Sequence, residues 1–374
     1  MHCVTRIALS LAVLVACGDD GSSSASGSTA IQETSTGTAT SAEGTDPGTS
    51  APTGTGGPTS SATSGSSGDD GSSSAGEASS GDTGAVAQGR VHVVMFTHIE
   101  DNTPGGMLGT PQSKMSYLAL REQLLALAEL ADEHGLQWVL QPDWKMLEAA
   151  LVYEDAATTV DTMGKNFLLY LRDDLGVVID PHAHENGGYN YPDVAHLLTL
   201  LEVGGSTVIG GHIWDPSLPQ FQEWDRFRDP VAGQHYPEAS WRGDILIGAG
   251  TPNHVNDPLV SGVWRPQDRD HFFTDDPAGN IAAVGAWHDE VIGVQELVDC
   301  YADATVPPER LLTASWNISP VEIMAPGGLA EIEQSILIPL AALRDDGLVV
   351  VTDFTTLVET WQSQYAGEAF LYQP

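Results

Sequence analysis

Residues 18–87 contain no aromatic side chain and no Lys or Arg, and Ile31 and Val86 are their only large aliphatics. A segment of that kind cannot bury enough apolar surface to offset the entropy of ordering its backbone. Ser, Gly, Thr and Asp dominate it, so the sequence predicts a disordered tether with an r.m.s. span of about 45 Å. All nine tryptophans therefore fall in residues 88–374. The stretch that can fold is somewhat longer than the roughly 250 residues of a typical β/α barrel.

Ahead of the tether, Arg6 precedes an apolar run over residues 7–16. That run is too short for a bilayer span, which needs about 20 residues, and has the proportions of a signal peptide. Leu14-Val15-Ala16-Cys17 resembles the lipobox of bacterial lipoproteins at all four positions. The resemblance implies a lipoprotein signal over 1–16, cleavage before Cys17 and lipid on the Cys17 thiol. The expected product is exported and held to a bacterial membrane through that anchor alone, at the outer membrane or cell surface rather than the inner membrane. Residues 17–87 then form the linker and 88–374 the domain.

The domain holds 42 acidic against 13 basic residues, a net charge of −29. A field of that sign repels phosphate backbones, and no basic stripe interrupts it, which excludes nucleic acid and disfavours strongly anionic glycans. Of the cysteines at 3, 17 and 300 only Cys300 lies in the domain, so no internal disulfide framework is expected.

From residue 89 on, apolar runs alternate with helical periodicity. Residues 91–97 are apolar and β-branched, as in a strand buried on both faces. Leu118, Leu124, Leu125, Leu127 and Leu130 then recur at helical spacing over 113–134, where Gly135 provides a left-handed cap. Further strands are predicted over 137–141, 176–180, 206–210, 244–248, 281–286, 311–314 and 348–352. Further helices are predicted over 160–174, 193–202, 291–302 and 331–344. Alternation of this kind predicts an α/β fold of parallel β-α units, with seven or eight strands favouring a barrel and an open doubly wound sheet as the alternative.

Active sites of parallel β/α folds collect at the carboxyl ends of strands. The first strand runs into Thr97-His98-Ile99-Glu100-Asp101-Asn102 and the third into Asp180-Pro181-His182-Ala183-His184. Two histidines one residue apart in extended chain point the same way, so His182 and His184 can share a metal. Asp101 can supply a carboxylate from the first strand end, His98 is a further potential ligand, and Glu100 is placed to take a proton from water. His212 and His254 also follow predicted strand ends, Trp214, Trp264, Trp287 and Trp316 fall near such ends, and the tryptophans offer faces for sugar rings or for packing. The domain has no Gly-x-Ser-x-Gly elbow and no phosphate loop.

Residues 97–102 resemble the first motif of the polysaccharide deacetylase (NodB-like) superfamily, in which a strand ends in Thr-Phe-Asp-Asp-Gly. The resemblance implies Glu100 as base and Asp101 as metal ligand. His182 and His184 fall where that family carries a His-x-x-x-His metal pair, here spaced by two instead of four. Trp264-Arg265-Pro266 resembles the family's Arg-x-Pro motif, which shapes one wall of the substrate groove. Residues 340–357, with Asp346-Gly347-Leu348-Val349-Val350-Val351-Thr352, resemble its closing helix, turn and strand. The family's late Leu-x-His, source of its general acid, has no histidine near Leu311-Leu312-Thr313-Ala314-Ser315; His212, His254 or His288 are the substitutes available.

The fold implied is a distorted (β/α)7–8 barrel. The activity implied is metal-dependent hydrolysis of an N-acyl group on a carbohydrate, with Asp101, His182, His184 and His98 around a divalent ion. The mixed nitrogen and carboxylate ligand set suits Zn²⁺, and the acidic surface suits a neutral or aminosugar polymer. Two alternatives stay open: a glycan-binding lipoprotein without catalysis, and a glycosidase pairing Glu100 or Asp101 with Asp215.

Overall fold

The computed structural model describes residues 89–185, 187–211, 219–247, 259–287 and 290–373. The expected leader, Cys17 and the tether lie outside these residues, as do His212, Trp214, Asp215, His254 and His288.

The fold is mixed α/β with parallel sheets. Strand β1 (Val91–Ile99) pairs in parallel with β10 (Leu312–Asn317) on one side. On the other it pairs with β2 (Trp138–Pro142) and, nearer its start, with β11 (Val349–Val351). β3 (Val178–Ile179) follows β2. A second sheet is built from β4 (Val208–Ile209), β7 (Ile245–Ile247) and β9 (Ala282–Val284), all parallel, with β8 (Val263–Trp264) antiparallel on the edge of β9. A bridge between His182 and Gly210 joins the end of β3 to the end of β4. Beyond β9, the Ser315 N–H of β10 donates to Trp287 O at 3.0 Å. A two-strand hairpin of β5 (Val231–Ala232) and β6 (Ser240–Trp241) stands apart.

Strand parity explains the core. All nine residues of β1 are buried. Its odd positions Val91, Val93, Met95 and Ile99 pack with Leu120, Leu124 and Leu127 of α1 (Pro111–Glu133). Its even positions Val94 and Phe96 pack with Val139, Val208, Ile245, Ile247 and Val284 and with Phe354, Leu357, Val358 and Trp361 of α9 (Phe354–Gln364). A β-strand alternates its side chains between faces, so a strand buried on both reads as one unbroken apolar run.

The other helices are α2 (Trp144–Tyr153), α3 (Phe167–Leu175), α4 (Tyr191–Leu200), α5 (Glu290–Ala302), α6 (Pro320–Met324), α7 (Gly328–Ile332) and α8 (Ile338–Asp345). The helix expected over 160–174 starts only at Phe167. Gly164 at φ +83° breaks the chain before it, and Asn166 accepts the Leu169 N–H at 2.9 Å as its cap. The helix expected over 331–344 is interrupted by a π-helical stretch, Glu333–Leu337, just before Pro339.

His92 is the one titratable group on the inner, even face at the start of β1. It is 6% exposed and meets the Tyr365 ring edge-on at 6.2 Å. Burial lowers its pKa from 6.5 to about 4. The unfolded chain therefore takes up this proton first as pH falls, so the associated stability is complete above about pH 6.5 and is lost toward pH 4. By linkage the loss is about 2 kcal/mol at pH 5 relative to pH 8. Urea unfolding of the His92→Gln variant should lack that share of the acid destabilisation; an identical pH dependence in both proteins would contradict a neutral buried His92.

Candidate metal centre

The carboxyl end of β1 supplies the first side chains. In extended chain His98 and Glu100 share the face that carries Phe96, by the same parity that pairs His182 with His184. His98 is 2% exposed, lies opposite Gln141 in register, and has its backbone N–H bonded to Asn317 Oδ1 at 3.2 Å. Its ring centroid lies 4.8 Å from that of Phe96 and 4.2 Å from that of His182. His182 is completely buried. Gly211 allows this, because a Cβ there would stand 2.2 Å from His182 Cε1.

These side chains converge. His98, Glu100 and His182 each offer a ligand atom within 4.8 Å of the others. Glu100 Oε2 lies 3.4 Å from His182 Nε2 and 3.0 Å from His184 Nε2. Two ligands at about 2.1 Å from a tetrahedral ion are about 3.4 Å apart, which is the spacing of Glu100 Oε2 and His182 Nε2, so this pair suits such an ion. Burial works to raise the pKa of the Glu100 carboxyl, but the hydrogen bonds and charge of His182 and His184 outweigh it and hold it far below the usual range. Burial works to lower that of His184, and Glu100 reverses this and raises it.

Further carboxyls stand near the same strand ends. Asp143, 1% exposed, caps α2 through the Trp144 N–H at 2.5 Å and accepts the His184 N–H at 3.4 Å. Burial, with help from the charge of Asp101, pushes it up to about 7. Asp180 accepts the Ser206 hydroxyl at 2.6 Å and is likewise pushed up to about 7 by burial. Glu185, at φ +56°, is ion-paired with Arg226. Outward from Asp143, Trp144, Tyr189 and His235 form a stack with centroids 4.4 Å apart at each step. Buried Asp193 holds the His235 loop by accepting the N–H groups of Gln234, His235 and Tyr236 at 2.8–3.0 Å.

The expected residues divide as follows. His98 and His182 meet with Glu100 as the candidate triad; the expected ligand His184 lies against Glu100 at 3.0 Å but outside that triad, and Asp101 sits on the turn that follows, half-buried and also outside it. The signal that would have placed Glu100 was the His-x-Glu alternation itself. Trp264 and Arg265 are not part of this site. β8 runs antiparallel to β9 with Trp264 opposite Ala283, so the chain after Trp264 leaves at the amino end of the parallel strands. Trp264 is fully buried with its indole N–H on Phe272 O at 2.6 Å, and Arg265 pairs with Asp275 at 3.1 Å. Trp287 and Trp316 are also buried. Asp143, Asp180 and the ring stack were not anticipated; Asp143 follows a predicted strand end by two residues.

No family model matches the chain, and no curated protein matches it. Among solved structures it is similar to one described as a glycoside hydrolase/deacetylase from Parabacteroides distasonis, at 10% identity and TM-score 0.46, over 75% of this chain and 73% of that one. It is also similar to a 4-alpha-glucanotransferase from Thermococcus litoralis, at 10% identity and TM-score 0.43, over 76% of this chain and 42% of the other.

Proposed function

We propose that this chain is a metal-dependent hydrolase that removes an N-acyl group from a carbohydrate, exported and lipid-anchored through Cys17. The observation that carries this reading is the convergence of His98, Glu100 and His182 from two strand ends within 4.8 Å. These three would hold the ion, Zn²⁺ being the best match to two imidazoles and a carboxylate. When bound, such an ion supplies Lewis acidity to water and to an acyl carbonyl. His184, 3.0 Å from Glu100, orients that carboxylate. Asp101, next along the turn, partly exposed, and near enough for its charge to act on His184 and Asp143, is assigned to accept the proton of water. The two parallel sheets are read as one distorted barrel; the His182–Gly210 bridge on one seam and the Ser315–Trp287 hydrogen bond on the other support this closure. The negative surface favours a neutral or aminosugar polymer.

Elemental analysis of the purified chain, followed by acetate release from acetylated oligosaccharides, tests the reading. About one equivalent of divalent metal is expected, lost together with acetate release in His182→Ala. Asp101→Ala should keep the metal and lose about 10²- to 10⁴-fold in rate, the usual contribution of a positioned acid or base. A metal-free protein, or a His182→Ala variant that keeps both metal and activity, would sink the proposal.

A further inference from the structure

At the end of the fold opposite the histidine cluster lies a cleft of about 470 Å³, within the usual range for small-ligand sites. Thr207, Asp244 and Ala282, at the amino ends of β4, β7 and β9, form one side and α9 forms the other. Its floor is apolar: Ile245, Ala282, Val358 and Trp361 are each at most 5% exposed. Its rim mixes donors and acceptors. Arg265 lies over the Trp361 ring at 4.8 Å and spends Nε and Nη2 on Asp275 and Gly367, leaving Nη1 without a hydrogen bond among the described residues. Arg242 makes a loose 3.6 Å pair with Asp244, both partly exposed. The Glu359 carboxylate and Gln362 amide have no side-chain partner among the described residues.

We propose that this cleft is a second, non-catalytic binding site for a neutral oligosaccharide. An anion entering it would meet the carboxylates of Asp244 and Glu359, and a cation would meet two guanidiniums. A sugar ring presents an apolar face to the floor and hydroxyls, each both donor and acceptor, to the rim. An extended peptide is the weaker fit, because β7 is already paired on both sides, with β4 and β9, and offers no edge for strand addition. The inference does not depend on the metal reading, since no residue of the cleft belongs to the histidine cluster.

Titration calorimetry on the full chain tests it, with cellotetraose, maltotetraose and N-acetylchitotetraose as probes. The work is done in a His182→Ala background, so that binding at the other end does not contribute. At least one probe should bind, and adding Arg242→Ala with Glu359→Ala should weaken it by about tenfold or more. Both residues are exposed, and an unchanged circular dichroism spectrum checks that the fold is kept. The proposal is overturned if no probe binds, if the double substitution changes affinity by less than about twofold, or if tetraglycine binds in place of the sugars and is lost on the same substitutions.

Discussion

Replacing Gly211 with alanine is expected to lower the affinity of the histidine cluster for a divalent ion by about 10- to 100-fold, while the domain stays folded. Two effects add at this position. Gly211 has φ +78°, a left-handed conformation that costs an L-residue about 1–2 kcal/mol. The new Cβ would also sit 2.2 Å from His182 Cε1 and 2.4 Å from Nδ1. His182 is fully buried and cannot swing into solvent, so its ring must move within the site and carry Nε2 away from Glu100. Gly176→Ala is the control, because Gly176 has φ +67° with nothing within 4 Å of its Cβ position. That variant should show the strain and keep its metal. Metal titration of both proteins, beside urea unfolding, separates the two effects. Equal metal affinity in Gly211→Ala and the unaltered chain would show that His182 is not a ligand.

Where a segment has a single period the expectation held: β1 was predicted from its unbroken apolar run, and α1 from leucines at helical spacing. The two-residue strands β5, β6 and β8 are too short to carry any period. α9, where no helix was expected, does carry one, with Phe354, Leu357, Val358 and Trp361 on one face. At the site, parity brings the rings of His182 and His184 to 4.9 Å, but only His182 joins His98 and Glu100 in the candidate ligand triad. The same rule, applied to His98 and Glu100, would have chosen Glu100 over Asp101 as the carboxylate facing the histidines. The Trp264-Arg265-Pro266 motif misled for a topological reason: strand direction decides which end of the sheet a loop reaches, and a sequence motif does not encode it. The carboxyls of Asp143 and Asp180 owe their raised pKa values to burial among distant residues, a property no local pattern displays.

The largest stability loss is expected from Arg121→Met, about 3–5 kcal/mol, with the metal centre unaffected. Arg121 is 4% exposed on α1 and ties together three segments that follow it in the chain. Its Nε donates to Glu154 Oε1 at 2.8 Å, and its two terminal nitrogens hold Asp161 at 2.7 and 2.8 Å. Glu154, with a side chain 3% exposed, also accepts the Tyr117 hydroxyl at 2.7 Å and, at the start of α3, the Phe167 N–H at 3.2 Å. Removing the guanidinium strands the Glu154 carboxylate in the core with only those two neutral donors, and that uncompensated charge is the main cost. Asp161 contributes little, because its side chain is 60% exposed and water can take over. Adding Glu154→Gln should therefore recover at least about half of the loss, since a neutral amide needs no counter-charge. Urea unfolding of the two single variants and the double variant closes the cycle. A loss below about 1 kcal/mol in Arg121→Met, or no recovery in the double variant, would mean that water or a rearranged neighbour solvates Glu154. The contrast with Gly211→Ala is the stronger test. One substitution should spare the metal and cost the fold, and the other should do the reverse, because the ion pair and the histidine cluster draw on separate parts of the chain.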